Sequence, residues 1–290
     1  MLPAYYVNLP VGENAYFSRM EAPAYIRQLY MPVQPTVKQS GTDVTYRELA
    51  PDERLRNYIY CYWELKTTRP LDTDFIYRVV ADGCIDIFFE PGHDTEQFVM
   101  GFCRKYTEFP LDKTFHYAGI RFLPTIFPQL YGVDAASLSN AATPLADVLP
   151  AAATFIRYRF APGISLQEMK PLLDSYFLEV IAGTPFNYDV RLYDALSRIL
   201  ERCGVLDVEK ELDTGISPRQ LRRLFGYYLG DSPKIFSQVV RFQHILRARP
   251  SVQSLRQNKL FFDVGYYDQA HFIKSFRNFY GVTPSRAFGR

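Results

Sequence analysis

Short runs rich in β-branched and aromatic residues fall at 58–65, 75–80, 84–90, 97–103 and 115–122, parted by turn signals such as Asp82-Gly83 and Pro91-Gly92. Such side chains suit a pleated, half-buried surface, and several short strands at near-regular spacing predict a β-sandwich or barrel. The period then changes. Leu166, Met169, Leu172, Leu173, Phe177, Val180 and Ile181 form a helical stripe over 164–182 despite Pro171, and Gly183-Thr184-Pro185 breaks it. A domain boundary is therefore expected between Gly183 and Tyr188. Beyond it the pattern is helical throughout, at 190–203, 207–212, 218–228, 233–248, 254–262 and 269–280. Residues 1–50, with five prolines, many tyrosines and little periodicity, read as an irregular N-terminal arm. The expected architecture is α+β and multi-domain: the arm at 1–50, a β-sandwich or barrel-like domain at 51–183 ending in a helix, and an all-α domain at 186–290.

The helical part contains a repeat. Ser217 set over Asp268 aligns the two segments without a gap, pairing Leu221 with Phe272, Phe225 with Phe276, Gly230 with Gly281, Ser232 with Thr283 and Pro233 with Pro284, all 51 residues apart. Each coincidence has a mechanical meaning. Ser and Asp accept hydrogen bonds from the orphan N–H groups at a helix start. Positions four and eight beyond the cap share one face and point into a core. Glycine ends a helix, and proline suits the first turn of the next.

The opposite face then carries the chemistry. At 100° per residue it holds Arg219, Gln220, Arg222 and Arg223 in the first copy, and Ala270, His271, Ile273 and Lys274 in the second. Arg and Gln can make bidentate contacts to purine edges, His and Lys can hydrogen-bond bases or phosphates, and Ala or Ile suits a thymine methyl. A capped helix of this kind behind a short helix and a tight turn is the second helix of a helix-turn-helix. Two copies predict a bipartite DNA site read by one chain.

Charge sharpens this reading. The chain carries 33 Lys and Arg against 31 Asp and Glu, but residues 191–290 hold 17 against 9, a net +8, and residues 1–190 hold 16 against 22, a net −6. A basic block on the reading domain fits phosphate binding, whereas the acidic body could mask that domain or hold it in a defined orientation. Apolar residues make up 48% and charged residues 22%, which argues against disorder. No apolar run approaches the ~20 residues that span a bilayer, and Met1–Glu21 lacks a secretory pattern, so a cytoplasmic protein without a membrane partner is expected. Cys61, Cys84, Cys103 and Cys203 form no C-x-x-C, which favours reduced, buried thiols.

Residues Gly215-Ile216-Ser217-Pro218-Arg219-Gln220-Leu221-Arg222-Arg223-Leu224-Phe225, Gly230-Asp231-Ser232-Pro233-Lys234 and Arg241 resemble the first half of an AraC/XylS-type DNA-binding domain. Gly265-Tyr266-Tyr267-Asp268-Gln269-Ala270-His271-Phe272, Phe276 and Gly281-Val282-Thr283-Pro284-Ser285 resemble its second half. The resemblance implies two helix-turn-helix units joined by a long helix at about 233–248, each placing a recognition helix in successive major-groove segments. By the same resemblance the base readers fall on Arg219, Arg222 and Arg223, and on Gln269, Ala270, His271 and Lys274. Lys234 and Arg277 are expected to contact phosphate or to be plain surface charges. One departure is Phe261, where the family usually has a small residue before the second turn. Residues 58–64, 81–89 and 119–124 are similar to an uncharacterised, cupin-like domain often found upstream of such DNA-binding domains, which implies effector sensing or self-association. Double-stranded DNA is thus the expected partner, with RNA polymerase, a small-molecule effector and self-association open as further ones.

Other chemistry is weakly supported. Asp82, Asp86 and Glu90 recur every four residues, but strand spacing does not bring carboxyls together in a cleft. His93, Asp94, Glu96 and His116 offer too few ligands in a Pro-Gly turn for a metal. No phosphate loop or nucleophile motif occurs, so neither catalysis nor a cofactor is expected. The alternative from another class is a small-molecule- or metal-binding β-domain whose basic helical partner is a docking module.

Overall fold

The computed structural model describes residues 22–35, 43–248 and 265–288. Strands β1 (Val44–Leu49), β2 (Ile59–Thr67), β4 (Ile85–Phe89), β5 (Gln97–Met100), β7 (His116–Phe122) and β8 (Ala142–Pro144) form one antiparallel sheet in the order β1-β2-β7-β4-β5-β8. Strands β3 (Phe75–Val79) and β6 (Thr107–Leu111) pair as a separate ribbon. The sheet ends on β1 and β8, so no barrel closes. The sandwich-or-barrel expectation resolves to an open sheet with a two-stranded second layer.

Alternation along the strands sorts the two faces. Tyr62, Ile87, Phe89, Ile120 and Phe122 turn toward α2 (Ile126–Tyr131), α4 (Pro150–Arg159) and α5 (Leu166–Ala182), meeting Phe127, Ile156, Leu173 and Phe177 in one core. Cys61, Trp63 and Leu65 turn the other way, toward Tyr77 of the ribbon and Phe115. A bulge between Ile59 and Cys61 lets both residues stay buried. Helix α5 starts at a capping box between Ser165 and Glu168, and Pro171 is tolerated on its exposed face. The short α3 (Leu145–Val148) precedes α4.

The described part of residues 1–50 is not irregular. It holds α1 (Ala22–Leu29) and edge strand β1. Ile26 of α1 and Tyr30 just after it, four apart, form a buried stripe too short to stand out in the sequence, and β1 alternates only partially because Arg47 faces solvent while the neighbouring Glu48 stays partly exposed as it approaches Arg121.

Helices α6 (Val190–Glu201), α7 (Val208–Glu211), α8 (Pro218–Leu229), α9 (Pro233–Ala248), α10 (Gln269–Tyr280) and α11 (Pro284–Phe288) make up the C-terminal part. The helix expected at 254–262, with Phe261, lies outside the described residues. The core of these helices is shared: Ile26 of α1, Tyr30 just after it, and Val80, Ala81, Cys84 and Phe102 from the β-rich part are buried with Leu196, Phe225, Phe236 and Phe242. The connection at 183–189 is also pinned, with Phe186 packed on Tyr58 at 5.0 Å and stacked on Tyr188 at 5.6 Å.

Candidate nucleic-acid interface

Helices α8 and α10 reproduce the 51-residue repeat at both ends. Each has twelve residues, begins directly after its cap, and ends on a left-handed glycine, Gly230 at φ 96° and Gly281 at φ 93°. Leu221 and Phe225 of α8 and Phe272 and Phe276 of α10 are buried. Two helical registers one turn apart on the core side fix which residues face outward. Arg219, Gln220, Arg222, Arg223, Gln269, Ala270, His271 and Lys274 are all exposed, as are Lys234 at the start of α9 and Arg277 near the end of α10.

Local hydrogen bonds set the caps. Ser217 Oγ accepts from the Gln220 N–H at 3.3 Å, and Gln220 Oε1 accepts from the Ser217 N–H at 3.1 Å. The Gln220 Oε1 thus closes a capping box. Its sequence signal is the Ser-x-x-Gln spacing itself. Asp268 Oδ1 accepts from the His271 N–H at 2.7 Å, leaving the His271 imidazole outward with one edge against the Tyr266 ring at 5.3 Å.

The helices are held relative to one another by α9. Arg241 on α9 donates from Nε and Nη2 to the Gly204 carbonyl at 3.0 and 2.6 Å and from Nη1 to the Gly265 carbonyl at 2.9 Å. Its guanidinium also lies over the Tyr266 ring at 5.3 Å. One side chain therefore ties the turn before α7 to the segment before α10. Arg241 is structural in this arrangement, and burial lowers its pKa from the ordinary arginine value.

The β-rich part grips the C-terminal ends of both exposed helices. After α8, Asp231 pairs with Arg104, and Ser139 Oγ donates to the Gly230 carbonyl at 2.7 Å. After its own N–H bonds Asn140 Oδ1 at 2.9 Å, Arg104 presents its carbonyl to Asn278 Nδ2 of α10, also at 2.9 Å. The Tyr106 N–H donates to the Asn278 carbonyl at 3.1 Å. A single connection between β5 and β6 thus meets both helices. These contacts lie at the helix ends, so among the described residues the β-rich part meets α8 and α10 at their C-terminal ends and leaves their outward faces exposed.

The remaining sequence candidates go elsewhere. His116 pairs with Glu64 at 3.0 Å, Asp94 with Arg157 at 3.4 Å, and the Glu90 carboxylate accepts from the His116 N–H at 3.4 Å. Hydrogen bonds from His116 and Lys66 outweigh the desolvation of Glu64 and hold its carboxyl below the usual range. Asp82 and Asp86, which sequence spacing did not bring together, both approach Arg121, a residue sequence reasoning missed. The missed signal was a charged residue inside two apolar strands, Ile85-Asp86-Ile87 and Ile120-Arg121-Phe122.

Two short, capped, core-anchored helices with exposed basic faces, held by one linking helix, define a DNA-binding protein of the helix-turn-helix class. Residues 213–290 match the family model described as a helix-turn-helix domain, and residues 47–144 match a domain of unknown function (DUF6597). The chain carries an AraC-type helix-turn-helix domain behind a DUF6597 domain, and it is a DNA-binding transcriptional regulator. Among curated proteins no relative matches it. Among solved structures it is similar to the apo form of a single-site variant of ToxT from Vibrio cholerae strain SCE256, at 8% identity and a TM-score of 0.37. It is also similar to ToxT from Vibrio cholerae O395, at 12% identity and a TM-score of 0.31. Each likeness covers 85% of this chain and 96% of the other, and both are too slight to carry an argument. Among the described residues, no helix is long and apolar enough to cross a membrane.

Proposed function

We propose that this regulator reads two adjacent major-groove segments with α8 and α10, and that the β-rich domain modulates that reading in response to an effector. The observation that carries the first part is the repeat: two helices of equal length, capped and terminated alike, bury one face and expose the other. Arg219, Arg222 and Arg223 read one segment, and Gln269, Ala270, His271 and Lys274 the other. Gln220 caps. Lys234 and Arg277 contact phosphate. No step of the proposal is enzymatic. A cavity in the β-rich domain, described below, supports the effector part.

The test is titration of the full chain against duplexes from its own upstream region and against random duplex, over a range of salt. Affinity should fall steeply with salt, because phosphate contacts release counterions. Arg223→Ala should relax base preference in one half-site only, at about 1–3 kcal/mol for a bidentate contact. Lys234→Ala should weaken all duplexes alike and lower the salt slope by about one. Equal losses on specific and random duplex for Arg223→Ala would remove α8 as the reading helix.

A further inference from the structure

A cavity of about 270 Å³ lies between the sheet and the β3–β6 ribbon. Its walls are aromatic, from Trp63, Tyr77, Phe88, Phe98, Phe109 and Tyr117. The sequence explains this: on β2, β4 and β7 these are the alternate positions that turn away from the helices, and the ribbon supplies the facing wall. An apolar cavity of roughly 150 Å³ holds one benzene, so this one has room for about ten non-hydrogen atoms.

One end of the cavity is charged. Asp86 and Arg121 are direct partners across β4 and β7, with Nε to Oδ1 at 3.1 Å and Nη2 to Oδ2 at 2.9 Å. Asp82 Oδ2 is 3.4 Å from the same Nε, and Glu48 Oε1 is 3.9 Å from Nη1, which has no hydrogen-bond partner. Three carboxylates therefore surround one guanidinium that is 2% exposed. Glu96 adds a fourth acid to the lining, accepting from the Tyr117 hydroxyl at 3.5 Å. Among the described residues that line the cavity, Arg121 carries the only positive charge. Burial pushes the Asp86 carboxyl up, with the neighbouring Asp82 charge adding to the rise against the pull of Arg121. That is the expected behaviour of a buried carboxyl with a like charge beside it.

We propose that this cavity binds a small organic cation, an amine of about ten non-hydrogen atoms on an aromatic or aliphatic body, with its ammonium at the Asp82–Asp86 end. Three features select it. An ammonium relieves the excess of negative charge that the site otherwise buries. Asp86 accepts from Trp63 Nε1 at 2.9 Å and twice from Arg121, and Asp82 accepts from Gln34 Nε2 at 2.8 Å and the Cys84 N–H at 3.0 Å, which leaves acceptor capacity on both carboxylates. Aromatic faces attract a cation in addition. The rival is a carboxylate ligand for the unpartnered Arg121 Nη1, and it would enter a site already rich in acids. The proposal rests on the effector reading of the β-rich domain and names the ligand class for it.

Trp63 is the chain's single tryptophan, lines the cavity and bonds Asp86, so its emission reports occupancy. The experiment titrates the full chain with phenethylamine, 2-phenylethanol and phenylacetate, which share a ring and a two-carbon arm and differ in charge. Phenethylamine should saturate first, about tenfold ahead of the alcohol, as expected for a desolvated cation on aromatic faces. Asp86→Asn should abolish the preference for amine over alcohol, and Glu96→Gln, at a half-buried position that does not pair with Arg121, should reduce it. Phenylacetate binding tightest, amine and alcohol binding equally, or no change in Trp63 emission with any of the three overturns the proposal. Operator affinity is measured in the same samples: amine binding without any change there keeps the site and removes the effector reading.

Discussion

Gly230→Ala tests whether the β-rich domain holds α8 from its C-terminal end. Gly230 ends α8 at φ 96°, and a Cβ built there would lie 2.6 Å from Ser139 Oγ, 2.8 Å from Phe102 Cβ and 3.2 Å from the Ala135 carbonyl. Two costs add. A left-handed conformation costs an L-residue roughly 1–2 kcal/mol. Forcing a methyl into packed atoms costs about 1–3 kcal/mol more, because Ala135 contributes backbone that cannot swing aside. Together these give a loss of about 2–5 kcal/mol. The control is Gly132→Ala, which has φ 65° but no atom within 4 Å of the new Cβ, so only the backbone cost applies. Urea unfolding midpoints of both variants would be compared with the parent at fixed slope. Equal losses at Gly132 and Gly230 would show that the contact with Ala135 and Phe102 does not hold α8.

Further outcomes follow from the same geometry. Phe276→Ala should cost about 3–5 kcal/mol in urea, since Phe276 is fully buried among Phe242, Phe272, Tyr280 and Phe288. Ser217→Ala should cost about 1 kcal/mol, because the Gln220 N–H loses the Ser217 Oγ acceptor while the Ser217 N–H still bonds the Gln220 side chain, read by urea denaturation. His244 is half-buried on α9, and burial, helped by Arg247, lowers its pKa. The unfolded chain therefore takes up the proton more readily, so stability should fall as pH drops below about 6.5 and level off below the folded pKa. His244→Gln should flatten that dependence between pH 7.5 and 5.5, and an unchanged slope would exclude the histidine as its source.

What was legible in the sequence was local. Caps at Ser217 and Asp268 and terminators at Gly230 and Gly281 act within a few residues, so the bounds of α8 and α10 follow from spacing to within a residue. The Arg121–Asp86 pair was not legible, because its partners are 35 residues apart and meet only through the β4–β7 register. Strand β6 was hidden by Pro110, which an interior strand would exclude but a two-stranded ribbon tolerates. The contacts of Arg104 with Asp231 and Asn278 join residues 127 and 174 positions apart, and nothing in either segment marks the other.

The connection that carries Arg104 has a consequence for the operator. If α8 and α10 read two half-sites as proposed, their fastening at the C-terminal ends to the one connection that carries Arg104 makes the pair a ruler of fixed pitch. A duplex turns once in about 10–10.5 base pairs, so five extra pairs between the half-sites carry one of them to the far side of the helix. Two loosely tethered readers would follow it around. This pair would lose one half-site altogether, and operator spacing would be under tighter constraint than the bases between the contacts.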